Sequence, residues 1–183
     1  MIEVEVKARV NNFDEIKSNL EKQGAKFLKK EFQRDIIFGN PKFADSENKI
    51  IEGGVLARIR QKDKYIKIEL KEILRGKGGV ELKFEIKDIE AAKKFLAKMD
   101  FTPAFEIAKN RESYDLNGFR ICLDKVEKLG TFVEVEKVIG KEKDKKIVMK
   151  ECKETLKKIT NHFEILLVKY GDLMQDLINQ GKS

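Results

Sequence analysis

The first ten residues combine carboxylates and amines on one face of a predicted strand. In Met1–Val10, apolar and charged residues alternate without a break, which is the period of a β-strand. The charged face carries Glu3, Glu5, Lys7 and Arg9. Because residues two apart lie roughly 6.6 Å apart on that face, Glu3 and Glu5 could share a divalent cation, with Lys7 beyond them for an anion. An ordinary solvated strand face would show the same pattern. The interpretation as a binding site therefore depends on whether the pattern recurs along the chain.

Acidic and basic residues recur on one face of seven further predicted strands. These strands cover residues 32–38, 55–61, 64–72, 80–86, 105–116, 119–124 and 131–138. Together with the first strand, the candidate face residues are Glu3, Glu5, Lys7, Asp35, Arg58, Arg60, Lys67, Glu69, Lys71, Glu81, Lys83, Glu85, Lys109, Arg111, Asp124, Glu134 and Glu136. The repetition favours one antiparallel sheet that curls or closes.

Two arrangements of these eight strands are open. If the charged face points outward, it is a solvated exterior crossed by ion pairs. If it points inward, a barrel of about eight strands would enclose a polar tunnel for a small, highly charged ligand. Clustered Arg and Lys would then bind phosphates, and clustered carboxylates would bind Mg²⁺ or Mn²⁺.

Length and composition narrow the class of protein. The chain has 183 residues, of which 41% are apolar, and this suits one domain with a full core. Charged residues reach 39%, but the net charge is only +7, so the chain is not a simple basic nucleic-acid binder. The mild positive excess suits an anionic small molecule, which we expect as partner, and would also suit weak, salt-sensitive binding of RNA or DNA, which we consider the less favoured partner. No apolar run approaches about 18 residues, so we expect no membrane partner and a cytoplasmic location. Monomer and homodimer are both open.

The scarcity of histidine and cysteine excludes two common kinds of site. His162 is the only histidine, which excludes a His-based zinc site and a Ser-His-Asp triad. Cys122 and Cys152 are isolated from each other and from any CxxC motif. We expect both to be reduced thiols in an intracellular protein.

Segments with helical periodicity are expected to pack outside the strands. They cover residues 12–24, 88–99, the stretch beyond Gly140, and a last helix near 172–178. Residues 39–54 show no firm period and predict a long loop at the rim of a site. The Asn117-Gly118 pair predicts a tight hairpin turn, and Arg75–Gly79 predicts a glycine-rich turn.

Taken in order, the charged motifs resemble those of the CYTH superfamily, the triphosphate tunnel metalloenzymes. Glu3-Val-Glu5-Val-Lys7 is similar to the ExExK signature of this superfamily, which includes class IV adenylyl cyclases and thiamine triphosphatases. The resemblance continues through Gln33-Arg34-Asp35, Leu56-Ala57-Arg58-Ile59-Arg60, Ile68-Glu69-Leu70-Lys71, Glu81 with Glu85, Lys109-Asn110-Arg111, Asp124, Leu129-Gly130 and Glu134-Val135-Glu136. It extends to about residue 178, so residues 1–183 are expected to form a single CYTH-like domain.

The resemblance implies an α+β fold, namely a closed antiparallel eight-stranded β-barrel tunnel with helices packed outside. The C-terminal helices, from about residue 140, would pack on the barrel. The implied metal ligands, for Mg²⁺ or Mn²⁺, are Glu3, Glu5, Glu134, Glu136 and Glu85. The residues implied to bind a triphosphate are Lys7, Arg58, Arg60, Lys71, Lys109 and Arg111. Glu81 and Asp124 are the carboxylates that could serve in catalysis, and a structural ion pair is the alternative role for each acid.

The sequence departs from patterns common in the family in the fifth strand and at Asp35. The fifth strand often carries R-x-E-x-E in this family, whereas the matching positions here are Gly79, Glu81 and Lys83. Asp35 stands where inorganic triphosphatases often carry Tyr, so the chain is nearer to the cyclase and thiamine triphosphatase branches.

Several functions follow from the resemblance, and a cyclase is expected first. A class IV adenylyl cyclase would convert ATP to cyclic AMP and pyrophosphate. The first alternative is a phosphohydrolase of thiamine triphosphate, a nucleoside triphosphate or inorganic triphosphate. The second is a non-catalytic module that binds a triphosphate, polyphosphate or the 5′ end of an RNA. A structural protein with an outward charged face is the remaining interpretation.

Overall fold

The computed structural model describes residues 2–63, 65–74, 80–140 and 144–181. The fold is α+β, with four α-helices and a nine-stranded antiparallel sheet. The strands are β1 (Ile2–Val10), β2 (Lys26–Gly39), β3 (Val55–Lys62), β4 (Tyr65–Glu72), β5 (Glu81–Ile86), β6 (Thr102–Leu116), β7 (Phe119–Val126), β8 (Gly130–Ile139) and β9 (Phe163–Leu166). The helices are α1 (Asp14–Lys22), α2 (Ile89–Lys98), α3 (Lys145–Ile159) and α4 (Tyr170–Asn179). The predicted glycine-rich turn at 75–79 lies outside the described residues, as does Lys64.

The sheet has nine strands, whereas eight were predicted. Its predicted closure into a barrel stays a prediction. The strand order is β5-β4-β3-β2-β6-β7-β8-β1-β9, so β5 and β9 stand at its two ends. The eight predicted strands form, but the expectation of helix throughout the stretch beyond Gly140 is wrong at Phe163–Leu166. This four-residue segment pairs with Lys7–Val10 of β1. It is too short for a clear sequence period, and pairing with a distant strand fixes its conformation.

The chain divides into two compact units, which are described separately. Unit 1 comprises Met1–Glu31 and Lys109–Val168, and unit 2 comprises Phe32–Ala108 and Lys169–Ser183. Within the described residues, none of the helices has the length and apolar content needed to cross a membrane.

In unit 1, the apolar face of β1 packs against two helices. Val4 and Val6 belong to one buried cluster with Leu20 of α1 and Leu156 of α3. Full burial of one Leu side chain contributes about 1.5–3 kcal/mol. Gly24 follows α1 with φ +73, the left-handed backbone that favours glycine after a helix. Because apolar residues of β1 face the helices, its charged residues lie on the opposite face.

In unit 2, α2 covers the apolar face of β2 and β3. Phe38 and Ile59 from these strands share a buried cluster with Leu96 of α2. The helix begins where Asp88 Oδ1 accepts a hydrogen bond from the backbone N–H of Ala91 at 3.0 Å, which is an N-cap. Asp35 of β2 and Arg58 and Arg60 of β3 therefore lie on the face away from this core, as the charged residues of β1 do in unit 1.

The hairpin predicted at Asn117-Gly118 is confirmed. The two residues have φ values of +52 and +79, which are typical of a type I′ turn. They connect β6 to β7, whose register pairs Leu116 with Phe119 and Arg111 with Asp124. This turn therefore fixes which side chains of the two strands meet on the charged face.

Candidate functional site

The strand register of unit 1 gathers charged side chains into rows on one face of β6, β7, β8 and β1. On β1, Lys7 lies opposite Glu134 and Glu5 lies opposite Glu136. On β7, Cys122 lies opposite the same Glu134. We call this surface the first charged face and define it by Glu3, Glu5, Lys7, Lys109, Arg111, Arg120, Cys122, Asp124, Glu134 and Glu136.

Three carboxylates converge on the first charged face. Oxygens of Glu3, Glu5 and Glu136 lie within 4.8 Å of one another. Burial and the neighbouring Glu3 raise the pKa of Glu136 to about 7. Burial and repulsion by Glu134 also raise the pKa of Glu5, although its side chain is 42% exposed and water screens part of that repulsion. Oxygen ligands that repel one another in this way suit a hard divalent cation such as Mg²⁺ or Mn²⁺.

Glu134 has different neighbours from the other predicted metal ligands. Its carboxylate accepts a hydrogen bond from Arg111 and lies 3.2 Å from the Nζ atom of Lys7. Burial would raise the pKa of Glu134, but these cations and Lys109 lower it overall. The sulfur of Cys122 lies within 4.8 Å of Glu134 and Glu136, but burial raises the pKa of this thiol to about 11, so it stays protonated at neutral pH. In this structure Glu134 therefore forms ion pairs with Arg111 and Lys7. Its role as a metal ligand stays a prediction.

Asp124 organises the basic part of the first charged face. It is fully buried and accepts hydrogen bonds from Lys109 Nζ at 2.8 Å and from Arg111 Nε and Nη2 at 2.6 and 2.5 Å. Burial would raise the pKa of Asp124, but these donors lower it overall, so Asp124 is ionised at neutral pH. Burial lowers the pKa of Lys109, while Asp124 opposes that shift. Two predicted phosphate-binding residues are thus held in place by one carboxylate.

Unit 2 has a comparable surface on β2, β3, β4 and β5. We call it the second charged face and define it by Asp35, Arg58, Arg60, Lys67, Glu69, Lys71, Glu81, Lys83 and Glu85. The register places Arg58 opposite Glu69, and Lys71 opposite Glu81. Asp35 accepts hydrogen bonds from Arg60 Nε and Nη2 at 2.7 and 2.6 Å. Glu69 accepts hydrogen bonds from Arg58 Nε at 2.8 Å and from its Nη2.

Asp35 and Glu69 received no site role from the sequence, although the strand alternation had placed both on the charged face. The structure shows that they fix the orientation of two predicted triphosphate-binding arginines. They are only 5% and 4% exposed. Together with the burial of Lys7, Asp124 and Glu134, this contradicts the interpretation of these positions as a solvated exterior. Buried charges need partners, and each of these residues has one.

Glu81 and Glu85 have unequal surroundings on β5. Glu81 lies 2.9 Å from Lys83, 3.6 Å from Lys71 and 4.0 Å from Arg58. Burial would raise the pKa of Glu81, but the hydrogen bond from Lys83 and the charges of Lys71 and Arg58 lower it overall. Glu85 is 67% exposed and lies 3.5 Å from Lys67. The structure therefore brings Glu81 among predicted phosphate-binding cations, whereas Glu85 forms its ion pair with Lys67, which has no predicted site role.

These arrangements suit a polyanion that carries a divalent cation. The first charged face offers a carboxylate group next to Lys7, Lys109 and Arg111. The second offers two arginines whose planar groups are fixed by acids, and planar guanidinium groups match the geometry of phosphate oxygens. Fixing cations before a ligand arrives lowers the entropy lost on binding.

Comparison with known proteins gives a consistent result. The CYTH domain model matches residues 1–166. A protein of Methanocaldococcus jannaschii, provisionally named an adenylate cyclase, is 33% identical over 162 residues, which cover 86% of this chain and 89% of that protein. A solved structure from Pyrococcus horikoshii has a TM-score of 0.70 and 30% identity, covering 89% of this chain and 94% of the other.

A further solved structure, from Hippeastrum, is similar in fold. It has a TM-score of 0.66 and 18% identity, and the match covers 100% of this chain and 97% of that one. It is provisionally described as an adenylyl cyclase that reveals a dominant triphosphatase activity. At this identity the likeness concerns the fold alone.

Proposed function

This chain belongs to the CYTH family, and we propose that it is a metal-dependent enzyme that binds a triphosphate and acts most like a class IV adenylyl cyclase. It would convert ATP to cyclic AMP and pyrophosphate. The observation that carries this proposal is the first charged face, where Glu3, Glu5 and Glu136 converge beside Lys7 and Arg111. Mg²⁺ in proteins is usually bound by one or two carboxylates together with substrate phosphates, so carboxylates beside basic residues suit a phosphate chain with its divalent cation.

The residues fit Mg²⁺ or Mn²⁺, since their oxygens are hard ligands with raised pKa values for Glu5 and Glu136. Glu3, Glu5 and Glu136 would hold the cation, and Glu134 and Glu85 are the further ligands predicted from the resemblance. When bound, the cation supplies neutralisation of charge on the phosphate oxygens. The raised pKa values imply that bound cation displaces protons from these carboxylates.

The basic residues would bind and orient the triphosphate. On the first charged face these are Lys7, Lys109 and Arg111, and on the second they are Arg58, Arg60 and Lys71. The arginines are held by Asp124, Asp35 and Glu69, which fix the planes of their guanidinium groups before a phosphate arrives. Positioning and charge stabilisation are the main sources of catalysis in phosphoryl transfer, so no covalent nucleophile is required.

In the cyclase reaction, the 3′-oxygen of ribose bonds to the α-phosphorus. The bond from that phosphorus to the oxygen bridging the α- and β-phosphates breaks, and pyrophosphate leaves. The proton of the 3′-hydroxyl must pass to a base. We propose Glu81 for this role, because its side chain is ionised and 29% exposed. Asp124, the other predicted catalytic carboxylate, is fully buried and saturated by Lys109 and Arg111, and we propose that it positions them.

A triphosphatase is the second candidate, because the Hippeastrum protein of similar fold is described as having a dominant triphosphatase activity. In that reaction, the oxygen of water would bond to the γ-phosphorus, and the bond from that phosphorus to the oxygen bridging the β- and γ-phosphates would break. The diphosphate part of the substrate would leave with that oxygen, and orthophosphate would be released with the proton lost by the water passing to a base. Thiamine triphosphate, a nucleoside triphosphate and inorganic triphosphate are the candidate substrates. The same charged faces would serve, so the products must decide between the two reactions.

The test is a phosphorus NMR time course with ATP, thiamine triphosphate and inorganic triphosphate, each with Mg²⁺ and then Mn²⁺. Pyrophosphate together with a cyclic phosphodiester from ATP would establish the cyclase. Orthophosphate would establish the phosphohydrolase and identify its preferred substrate. No reaction in any sample, across a range of temperature, would refute the enzyme and leave the non-catalytic binding module.

The closed tunnel stays a prediction of the resemblance, and the cytoplasmic location stays a prediction from the apolar pattern of the sequence. The proposed chemistry rests on the contacts within each charged face, and the small-molecule partner follows from the same contacts. Weakening of inorganic triphosphate binding by Arg111→Ala would support the role of the first charged face, and weakening by Arg58→Ala would support that of the second.

A further inference from the structure

Of the two cysteines in the chain, Cys122 lies on the first charged face. Strand alternation puts it on the same side of β7 as Asp124. The register pairs it with Ser113 of β6 on one side and with Glu134 of β8 on the other. Cys152 lies instead on α3, within the buried apolar cluster of unit 1. The two thiols therefore have different neighbours, and we expect them to differ in their reactions with metal ions.

Two carboxylates lie close to the sulfur atom of Cys122. This Sγ atom and carboxylate oxygens of Glu134 and Glu136 are all within 4.8 Å of one another. In a tetrahedral zinc site, bond lengths of about 2.0–2.3 Å place the ligand atoms about 3.5 Å apart, so side-chain movements of about 1 Å would bring these three atoms around one ion. Three protein ligands leave the fourth position of such a site for water.

The residues around these ligands are compatible with a bound thiolate. The buried hydroxyl of Ser113 lies 3.7 Å from the Sγ atom of Cys122 and can donate a hydrogen bond to the sulfur once a cation has replaced the thiol proton. That proton passes to solvent. Arg111 and Lys7 contact different oxygens of Glu134, and each of these oxygens has a second lone pair for a metal ion.

We propose that Cys122, Glu134 and Glu136 form a site for a thiophilic divalent cation such as Zn²⁺. A thiolate is a soft ligand and favours Zn²⁺ over Mg²⁺ and Mn²⁺, which prefer oxygen. Glu136 also belongs to the carboxylate group that it forms with Glu3 and Glu5. Zn²⁺ at the thiol and Mn²⁺ at that group therefore compete for one side chain. This inference goes beyond the proposed function, because the site is detected by metal binding without a substrate.

The first experiment is titration of the reduced, metal-free protein with Cd²⁺. Cd²⁺ is a soft ion like Zn²⁺, and its bond to a thiolate gives an ultraviolet charge-transfer band. The unmodified protein should show this band, and Cys122→Ser should lose it. Cys152→Ser is the matched control and should keep the band, because that thiol lies among apolar side chains. An equal band in C122S, or none in the unmodified protein, would overturn the proposal.

A second pair of variants tests the carboxylates and leaves the thiol in place. Glu136→Gln should raise the Cd²⁺ dissociation constant about tenfold or more, because a neutral amide oxygen replaces a carboxylate ligand. Glu154→Gln makes the same change on α3, where the side chain is 56% exposed, and should bind Cd²⁺ as the unmodified protein does. An unchanged Cd²⁺ dissociation constant in E136Q would contradict the ligand set.

The third experiment follows protein-bound Mn²⁺ by electron paramagnetic resonance while Zn²⁺ is added. Zn²⁺ should displace Mn²⁺ from the unmodified protein, and C122S should need about tenfold more Zn²⁺ for the same displacement. Without Zn²⁺, the two proteins should bind Mn²⁺ alike, which separates loss of the thiol from damage to the carboxylates. The same Zn²⁺ requirement in both proteins would show that Cys122 is not a ligand.

Discussion

Replacing Glu136 with glutamine should stabilise the metal-free protein at pH 8 and leave its stability unchanged at pH 4. The side chain of Glu136 is only 11% exposed. Burial, followed by the charge of Glu3 and a hydrogen bond with it, raises the pKa of Glu136 from 4.5 to about 7. The native protein therefore holds this proton more tightly than the unfolded chain does. As a result, the free energy of unfolding falls as the pH rises from 4.5 towards 7, and the loss is complete above that pKa.

The size of the effect follows from the pKa difference. One pKa unit corresponds to about 1.4 kcal/mol, so a rise from 4.5 to about 7 corresponds to about 3 kcal/mol. This is an upper limit, because Glu3 contributes to the repulsion and can itself take up a proton. Glutamine keeps the shape of the side chain but cannot ionise. E136Q therefore removes the free-energy cost of holding an ionised carboxylate at this buried position.

The assay is guanidinium unfolding at pH values from 4 to 8, with a chelator and then with saturating Mn²⁺. Without metal, E136Q should gain stability over the unmodified protein progressively between about pH 5 and pH 7. With Mn²⁺, the unmodified protein should recover the difference, because metal bound only to the folded state stabilises it. The control is Glu154→Gln on α3, whose side chain is 56% exposed. Equal stability of E136Q and the unmodified protein at pH 8 without metal would refute the carboxylate repulsion.

Three further substitutions test other parts of the structure. Asp124→Asn should lower the free energy of unfolding by about 3–5 kcal/mol, because it leaves Lys109 buried beside a neutral group; a loss below about 1 kcal/mol in denaturant unfolding would contradict this. Glu81→Gln should lower kcat for ATP about 100-fold or more with little change in KM, as expected for a lost general base; steady-state kinetics in which only KM changes would instead indicate a binding role. Gly118→Ala should cost about 1 kcal/mol of stability, because φ is +79 at a position with no nearby atoms to clash; a thermal midpoint equal to that of the unmodified protein would show that the turn relaxes freely.

Strand faces could be predicted from the sequence because alternation is a local property. The charged residues of β1, β3 and β4 lie where the period of two places them, and the Asn117-Gly118 turn fixes the register of its hairpin. The convergence of Glu5 with Glu136 could not be read in this way, since it depends on how strands distant in sequence align. The family resemblance predicted that Glu5 and Glu136 belong to one metal site, and the register of β1 and β8 pairs them.

Strand lengths and ion partners were harder to predict. β2 begins at Lys26, although residues 26–31 show no clear alternation, because pairing with neighbouring strands can extend a segment that has no pattern of its own. Similarly, the alternation placed Asp35 and Glu69 on the charged face but did not show that they bind Arg60 and Arg58. Partner choice among many charges of both signs depends on register and rotamer, which composition does not determine.

The measurement that tests the proposed chemistry most directly is turnover of ATP by the unmodified protein and by a Glu3→Gln/Glu5→Gln double variant, each with Mn²⁺. Circular dichroism and thermal unfolding should show that the variant is folded, since these two side chains lie on the exposed part of the carboxylate group. We predict metal-dependent product formation by the unmodified protein and none by the variant. Full activity of the folded double variant would show that Glu3 and Glu5 do not hold a catalytic cation, and would contradict the assignment of the site.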